Sequence, residues 1–197
     1  MLLKEETDEN LWRKSKWIPL RVSKKAGVRP AIGTIRERLF SSISSYVNHA
    51  RTLDLFAGSG AYGLEALSRG AEQATFVEKN RSVFVDLSAN LEAVLKSAHL
   101  PADSGKLVKR DVLDFLREKP SLGYDLILVD PPYPELGSLC PKIFSLLLAN
   151  NYLSEKGIVV LECPGDFTIE PSGWTPQRTV GKEKKGSPIH RIFERSN

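Results

Sequence analysis

The sequence has little of what marks several large protein classes. It holds two cysteines, Cys140 and Cys163, and three scattered histidines, with no Cys/His cluster at metal-ligand spacing. That argues against a structural zinc module and against a disulfide-built secreted domain. A bridge between the two cysteines is one option; two free thiols in a reducing cytosol is the expected state. No apolar run approaches the roughly 20 residues that span a bilayer, so no membrane association is expected. The opening MLLKEETDENLW turns acidic after three residues and lacks the apolar centre of a secretory leader, so a cytoplasmic location is expected. Internal repeats and low-complexity segments are absent too. What remains is a chain of 197 residues, 41% hydrophobic and 26% charged, which suits one globular domain with a small appendage.

The net charge of +4 is unevenly spread. Residues 11–38 carry nine Lys or Arg against one acid, and residues 178–197 carry six against two, whereas residues 39–177 carry 12 basic and 17 acidic side chains. Basic ends around an acidic body suit a polyanion gripped from the edges. They equally suit lysines that merely solvate flexible termini. The first reading places Lys14, Lys16, Lys24 and Lys25 against nucleic acid.

Apolar, branched runs alternate with helical patterns. RTLDLF (51–56), QATFVE (73–78), GKLVKR (105–110), YDLILVD (124–130) and GIVVLEC (157–163) predict buried strands. Between them, helices are predicted over 61–69, 81–97, 112–118 and about 141–150. This order implies right-handed crossovers and a parallel sheet covered on both faces. WTPQRTV and IHRIFER, joined by GKEKKGSP, leave no room for a helix and predict a terminal antiparallel hairpin. Ahead of the sheet, TIRERLFSSISSYV predicts a separate helix, with Thr34 and Glu37 spaced as a capping box. The expected fold is therefore α/β: a doubly wound, Rossmann-like seven-stranded sheet, mostly parallel. A basic extension over 1–33 would precede a catalytic domain over 34–197.

Gly58-Ser59-Gly60-Ala61-Tyr62-Gly63 fits G-x-G-x-x-G between a predicted strand and helix, and Glu78 ends the next strand 20 residues after Gly58. Such glycines let backbone approach a nucleotide, and the acid bonds ribose hydroxyls. The nucleotide could be NAD or S-adenosylmethionine. Asp54, four residues before Gly58, would repel a pyrophosphate and suit an amino-acid ammonium group, which favours the methyl donor. Asp111 would lie at the carboxyl edge, either accepting an adenine amine, capping the helix at Val112, or both.

Asp130-Pro131-Pro132-Tyr133 follows the fourth strand, where the ligand crevice opens. The lone pair of an exocyclic base amine is delocalised into its ring. A carboxylate and a rigid backbone carbonyl that accept both N–H groups favour a pyramidal nitrogen aimed at an electrophilic methyl. Two prolines fix the backbone and offer no competing N–H. Tyr133 can stack on a base turned out of its surroundings.

With these residues in place, the chain resembles the class I S-adenosylmethionine-dependent methyltransferases. More narrowly, it resembles the bacterial 16S ribosomal RNA guanine-N2 methyltransferases, through RPAIGTIRERLF (29–40), LDLFAGSGAYGLEALSRGA (53–71), FVEKNR (76–81) and VDPPY (129–133). IHRIFER is similar to that family's closing strand. The resemblance implies methyl transfer from S-adenosylmethionine, leaving S-adenosylhomocysteine, to the N2 amine of a guanine. The partner would be 16S ribosomal RNA, within the small subunit or an assembly intermediate, and the protein a monomer. It implies that Asp54, Gly58 and Gly60 border the methionine moiety, with Phe56 and Ser59 beside them. Glu78 would take the ribose, Asp111 with Val112 the adenine, and Asp130 to Tyr133 the target base. Arg29 and Arg36 would sit near the cofactor entrance or the RNA.

The sequence also departs from the family. WRKSKWIPLRVSKKAG has no glycine until Gly27 where the family has a glycine-rich hairpin, AIG (31–33) follows Arg-Pro in place of the common Thr and Asp, and Asn80 stands where an acid is often found. The competing readings are an adenine or cytosine amino methyltransferase acting on DNA or another RNA, a non-enzymatic RNA-binding module, and an NAD-dependent dehydrogenase. The dehydrogenase has no evident use for DPPY, and an intact Asp130 speaks against the binding module.

Overall fold

The computed structural model describes residues 31–196. The basic residues Lys14, Lys16, Lys24, Lys25 and Arg29 lie outside them. Helix α1 (Ala31–Ser42) leads through a short 3-10 turn into β1 (Arg51–Leu55). The chain then alternates through α2 (Ala61–Ser68), β2 (Gln73–Val77), α3 (Arg81–Ser97), β3 (Gly105–Val108), α4 (Val112–Leu116), β4 (Tyr124–Val129), α5 (Leu136–Ala149) and β5 (Leu153–Pro164). Two further strands, β6 (Trp174–Val180) and β7 (Pro188–Arg195), follow with no helix between them.

The seven strands form one sheet in the order β3-β2-β1-β4-β5-β7-β6. β1 to β5 run parallel, and β7 pairs antiparallel with both β5 and β6. The predicted fold class and the terminal hairpin are thus both present. The central strands are buried on both faces, as parallel strands covered by helices must be. One apolar cluster gathers α1, α2 and α3 through Leu39, Phe40, Leu64, Leu67, Leu87 and Leu91. The other gathers α4 and α5 through Leu116, Ile143, Phe144 and Leu147, and it includes the free, buried thiols of Cys140 and Cys163.

Three local expectations need correction. Thr34 does not cap a helix: α1 begins at Ala31, so Thr34 and Glu37 lie inside it. α5 begins at Leu136, ahead of Pro141, and carries that proline in its interior. Its buried stripe Leu136, Cys140, Ile143, Phe144 and Leu147 straddles the proline, so packing outweighs the roughly 3 kcal/mol that an interior proline costs. β5 extends back to Leu153, ahead of the predicted start at Gly157; Ser154 Oγ donates to Asp125 at 2.7 Å and holds this start against β4.

Candidate active site

The strand order reverses between β1 and β4, and at such a switch point a crevice opens beyond the carboxyl ends of the strands. In this structure a cavity of about 380 Å³ lies there, walled by Phe56, Val77, Glu78, Val112 and the Asp130–Tyr133 stretch, with Lys79 and Arg110 at its rim. Phe56, at the head of the predicted nucleotide loop, together with Glu78 and Val112, therefore faces the predicted tetrapeptide across one space, whereas Asp54, Gly58, Ser59, Gly60 and Asp111 do not line it.

The loop is built by backbone conformation. Phe56 and Gly58 both take left-handed φ, +61° and +56°, and a non-glycine residue there stores of order 1–3 kcal/mol of strain. The three motif glycines have different reasons to be glycine. A Cβ on Gly60 would meet Leu87 Cδ1 at 2.6 Å, and one on Gly63 would meet Phe76 Cε1 at 2.3 Å, so these two serve helix packing. A Cβ on Gly58 would meet only the Phe56 carbonyl, at 3.8 Å, so Gly58 is the glycine with open space beside it. Ser59 enters through its backbone: its carbonyl accepts from Asn90 Nδ2 at 2.9 Å. Asn90 is a buried residue of α3 that the sequence pattern does not distinguish from its exposed neighbours.

Carboxylates hold this loop from below. Asp54 is buried, and its Oδ2 accepts from the Gly63 N–H at 2.8 Å. Burial pushes its carboxyl up to about 7, the Gly63 hydrogen bond works against that, and Glu78 adds to the rise. Glu78 accepts from the Gly58 N–H at 3.0 Å and from the Asn80 N–H at 2.6 Å, so its orientation is fixed within the protein. Asn80 caps α3, accepting from the N–H groups of Ser82 and Val83, which gives a local reason for an amide at that position. Asp111 takes the capping role foreseen for it, accepting from Leu113 N–H at 2.9 Å, while its other oxygen pairs with Lys79 at 3.4 Å.

At the opposite wall, Asp130 donates its backbone N–H to the Leu55 carbonyl at 3.4 Å, which ties the tetrapeptide to β1. The Pro132 carbonyl accepts from Glu135 N–H at 2.9 Å as the chain turns into α5. The Pro131 carbonyl accepts no hydrogen bond among the described residues, so it is the proline carbonyl left to a ligand. The Asp130 carboxyl is held well above the usual carboxylate range, first by burial, then by the charges of Glu162 and Asp54.

Glu162 belongs to a network that the sequence reading missed. It faces His190 across the β5–β7 pair. The Tyr62 hydroxyl, from the first turn of α2, donates to Glu162 Oε2 and lies 2.7 Å from His190 Nε2; the Tyr133 hydroxyl donates to Glu162 Oε1 at 3.2 Å. Tyr62 has one proton and gives it to Glu162, so His190 carries a proton on Nε2 and donates it to Tyr62. Three polar partners hold Glu162 below the usual carboxylate range in spite of its burial. Tyr62 and Tyr133 are raised, chiefly by burial. A signal did exist: Glu162 and His190 are polar side chains inside apolar strand runs, and buried polar groups ask for partners.

Arg36, predicted near the cofactor or the RNA, lies on α1 with Nε 3.9 Å from Glu65 Oε2, and Glu65 also bonds Arg69 at 2.7 Å.

A family profile described as conserved hypothetical protein 95 matches residues 14–191. The ribosomal RNA small subunit methyltransferase D of Haemophilus influenzae is 33% identical over 175 residues, which cover 87% of this chain and 86% of that protein. Its Escherichia coli K12 counterpart is 32% identical over 186 residues, 93% of this chain and 86% of that one. A solved Escherichia coli structure, described as a candidate methyltransferase, aligns with a TM-score of 0.73 at 34% identity, covering 89% of this chain and 90% of its own.

Proposed function

The chain belongs to the family of the ribosomal RNA small subunit methyltransferases D, and from that premise we propose that it transfers a methyl group from S-adenosylmethionine to the N2 amine of a guanine in small-subunit (16S) ribosomal RNA. The observation that carries this reading is the pair formed by the Asp130 carboxyl and the unbonded Pro131 carbonyl, in a crevice they line together with Phe56, Val77, Glu78 and Val112.

The residues present fit the methyl donor. Gly58 offers backbone with open space beside it, Glu78 presents a carboxylate of fixed orientation to a ribose, and Phe56, Val77 and Val112 give apolar walls to an adenine. Asp54 lies one strand end away as the counter-charge for an amino-acid ammonium. Asp111, already shared between Leu113 and Lys79, keeps lone pairs for an adenine amine. When bound, S-adenosylmethionine supplies an electrophilic methyl on a positively charged sulfur.

Everything else falls to the chain's own groups. Asp130 and the Pro131 carbonyl accept the two N–H groups of the guanine amine, which localises its lone pair and aims it into the crevice. Tyr133, tethered through its hydroxyl to Glu162, presents its ring to the base. Asp130 then receives the proton that the alkylated nitrogen releases, a task suited to a carboxylate whose proton affinity burial and Glu162 have raised. Most of the acceleration comes from orientation and preorganised acceptors.

The direct test is transfer of labelled methyl to small ribosomal subunits from cells lacking this protein, with naked 16S RNA and DNA alongside. N2-methylguanine in the subunit or its RNA is the expected product. Label in an adenine or cytosine, or in DNA alone, would overturn the substrate assignment.

A further inference from the structure

Six basic side chains lie in residues 178–197, and apart from Arg195 at the end of β7 the structure separates them by use. Arg178 donates to the Ser42 carbonyl and so ties β6 to α1. Arg191 donates to the Phe167 carbonyl at 3.2 Å and pairs with Glu183 at 3.3 Å. Lys182, Lys184 and Lys185 are exposed in the turn between β6 and β7 and form no ion pair among the described residues. Both nearby acids are engaged locally: Glu183 by Arg191, and Asp166 Oδ1 by the Gly186 N–H at 3.0 Å. The turn therefore exposes three lysines that form no ion pair among the described residues; Lys185 lies near enough to Asp166 to help, after the Gly186 hydrogen bond, to hold that carboxyl below its usual range.

The turn is also a built element. Gly181 and Gly186 take φ of +123° and +70°. A Cβ on Gly165 would come within 2.7 Å of the Lys184 backbone, so the β5 exit packs directly beneath the turn. Gly165 N–H donates to the Ser187 carbonyl at 2.8 Å, and Ser187 N–H to the Lys184 carbonyl at 3.0 Å. A pinned turn has already lost the backbone entropy that a floppy basic tail would lose on binding.

Its place follows from the strand register. β4 and β5 are level at Val129 and Leu161, and β5 and β7 are level at Glu162 with His190 and at Pro164 with Pro188. Residues 181–187 thus project beyond the same carboxyl edge as Asp130. The sheet order puts them two to three strands from β4, roughly 10–15 Å at about 4.8 Å per strand. That distance is a nucleotide or two of RNA chain away from a base held by Asp130.

We propose that the β6–β7 turn, through Lys182, Lys184 and Lys185, is a phosphate clamp that grips the RNA backbone beside the target guanine. The inference rests on the proposed RNA substrate and adds where that RNA lies: from the crevice it crosses the ends of β5 and β7. Ammonium groups at mobile tips contact phosphates as point charges, so the clamp adds affinity without reading sequence.

The test uses the full chain and 16S ribosomal RNA as probe. In the triple variant Lys182→Gln, Lys184→Gln, Lys185→Gln, the KM for RNA rises tenfold or more at about 0.1 M salt. The slope of log affinity against log salt falls by about 2, as expected for three lost phosphate contacts. The S-adenosylmethionine dissociation constant stays at the wild-type value, which reports intact folding. Replacing the same three lysines by arginine restores both the KM and the slope. An unchanged KM and salt slope in the glutamine variant would overturn the clamp, even with wild-type transfer to the RNA intact. Absence of methyl transfer to 16S RNA by the wild type would instead overturn the function on which it rests.

Discussion

Asp54, buried, and Asp130, half-buried at the crevice, are carboxyls at the ends of adjacent strands, both raised chiefly by desolvation, and they respond to pH in different ways. Asp54 has a folded value of about 7 against an ordinary 3.8, so between these pH values the folded state binds the extra proton. Stability of the free protein should then fall as pH rises from 4 to 7, with a contribution of order 4 kcal/mol from this group. Asp54→Asn, whose amide oxygen can still accept from Gly63, flattens that decline in chemical denaturation across the range. It also weakens S-adenosylmethionine binding, and the wild type's gain in affinity between pH 6 and 8 disappears, because an ionised partner for the ammonium has been lost. Equal pH slopes for the two proteins would mean that Asp54 is not the titrating group. For Asp130, transfer rises with pH as the carboxyl ionises. Glu162→Gln removes the nearby negative charge and moves that acid limb to lower pH, while kcat falls because Tyr133 loses its anionic anchor. A pH–rate profile with an unmoved limb would contradict the assigned coupling. At this scale the sequence was legible where chemistry and spacing coincide, as at Gly58, Glu78 and Asp130. It was opaque at Tyr62 and Asn90, and at Glu162 and His190 it showed only buried polar groups without saying which partners, 100, 128 and 31 residues apart along the chain, they would meet.

Among the elements, α2 is the one on which the crevice depends. It springs from the loop, carries Tyr62 to the Glu162 network, and lies so close to β2 that Gly63 has no space for a methyl group. Gly63→Ala would put that group 2.3 Å from Phe76 Cε1, and overpacking of this kind costs roughly 1–3 kcal/mol. The expected outcome is a melting temperature lower by about 3–10 °C and weaker cofactor binding, since the helix can yield only by pulling the loop with it. A fully stable variant with normal binding would show that the helix is not seated as described. The element pattern itself was largely readable, because buried parallel strands and amphipathic helices have distinct periods; α3 falls on its predicted bounds of Arg81 and Ser97. Errors arose where packing overrides a local signal. Pro141 reads as a start and sits mid-helix, and Thr34-x-x-Glu37 reads as a cap although the helix already runs through it.

For the whole molecule, parallel strand order decides where chemistry can happen. Among the described residues, Phe56, Gly58, Glu78, Asp111, Asp130–Tyr133 and the lysine turn all lie at or beyond the carboxyl edge of the sheet. The edge strand β6, with Pro176 and a register shift beside it, closes the sheet without offering a regular strand to a second chain. The fold class could be read from alternation alone. The position of the hairpin could not, because the insertion of β7 between β5 and β6 is a long-range choice. That insertion brings both His190 and the lysine turn toward the catalytic edge. The most direct test of the account is a single-turnover comparison of wild type and Asp130→Ala on small-subunit RNA, with the S-adenosylmethionine dissociation constant measured on both. The account predicts that transfer falls by at least about 10²–10³-fold while cofactor affinity stays within a few-fold. Near-normal transfer by Asp130→Ala would contradict the claim that this carboxyl and the Pro131 carbonyl hold the amine.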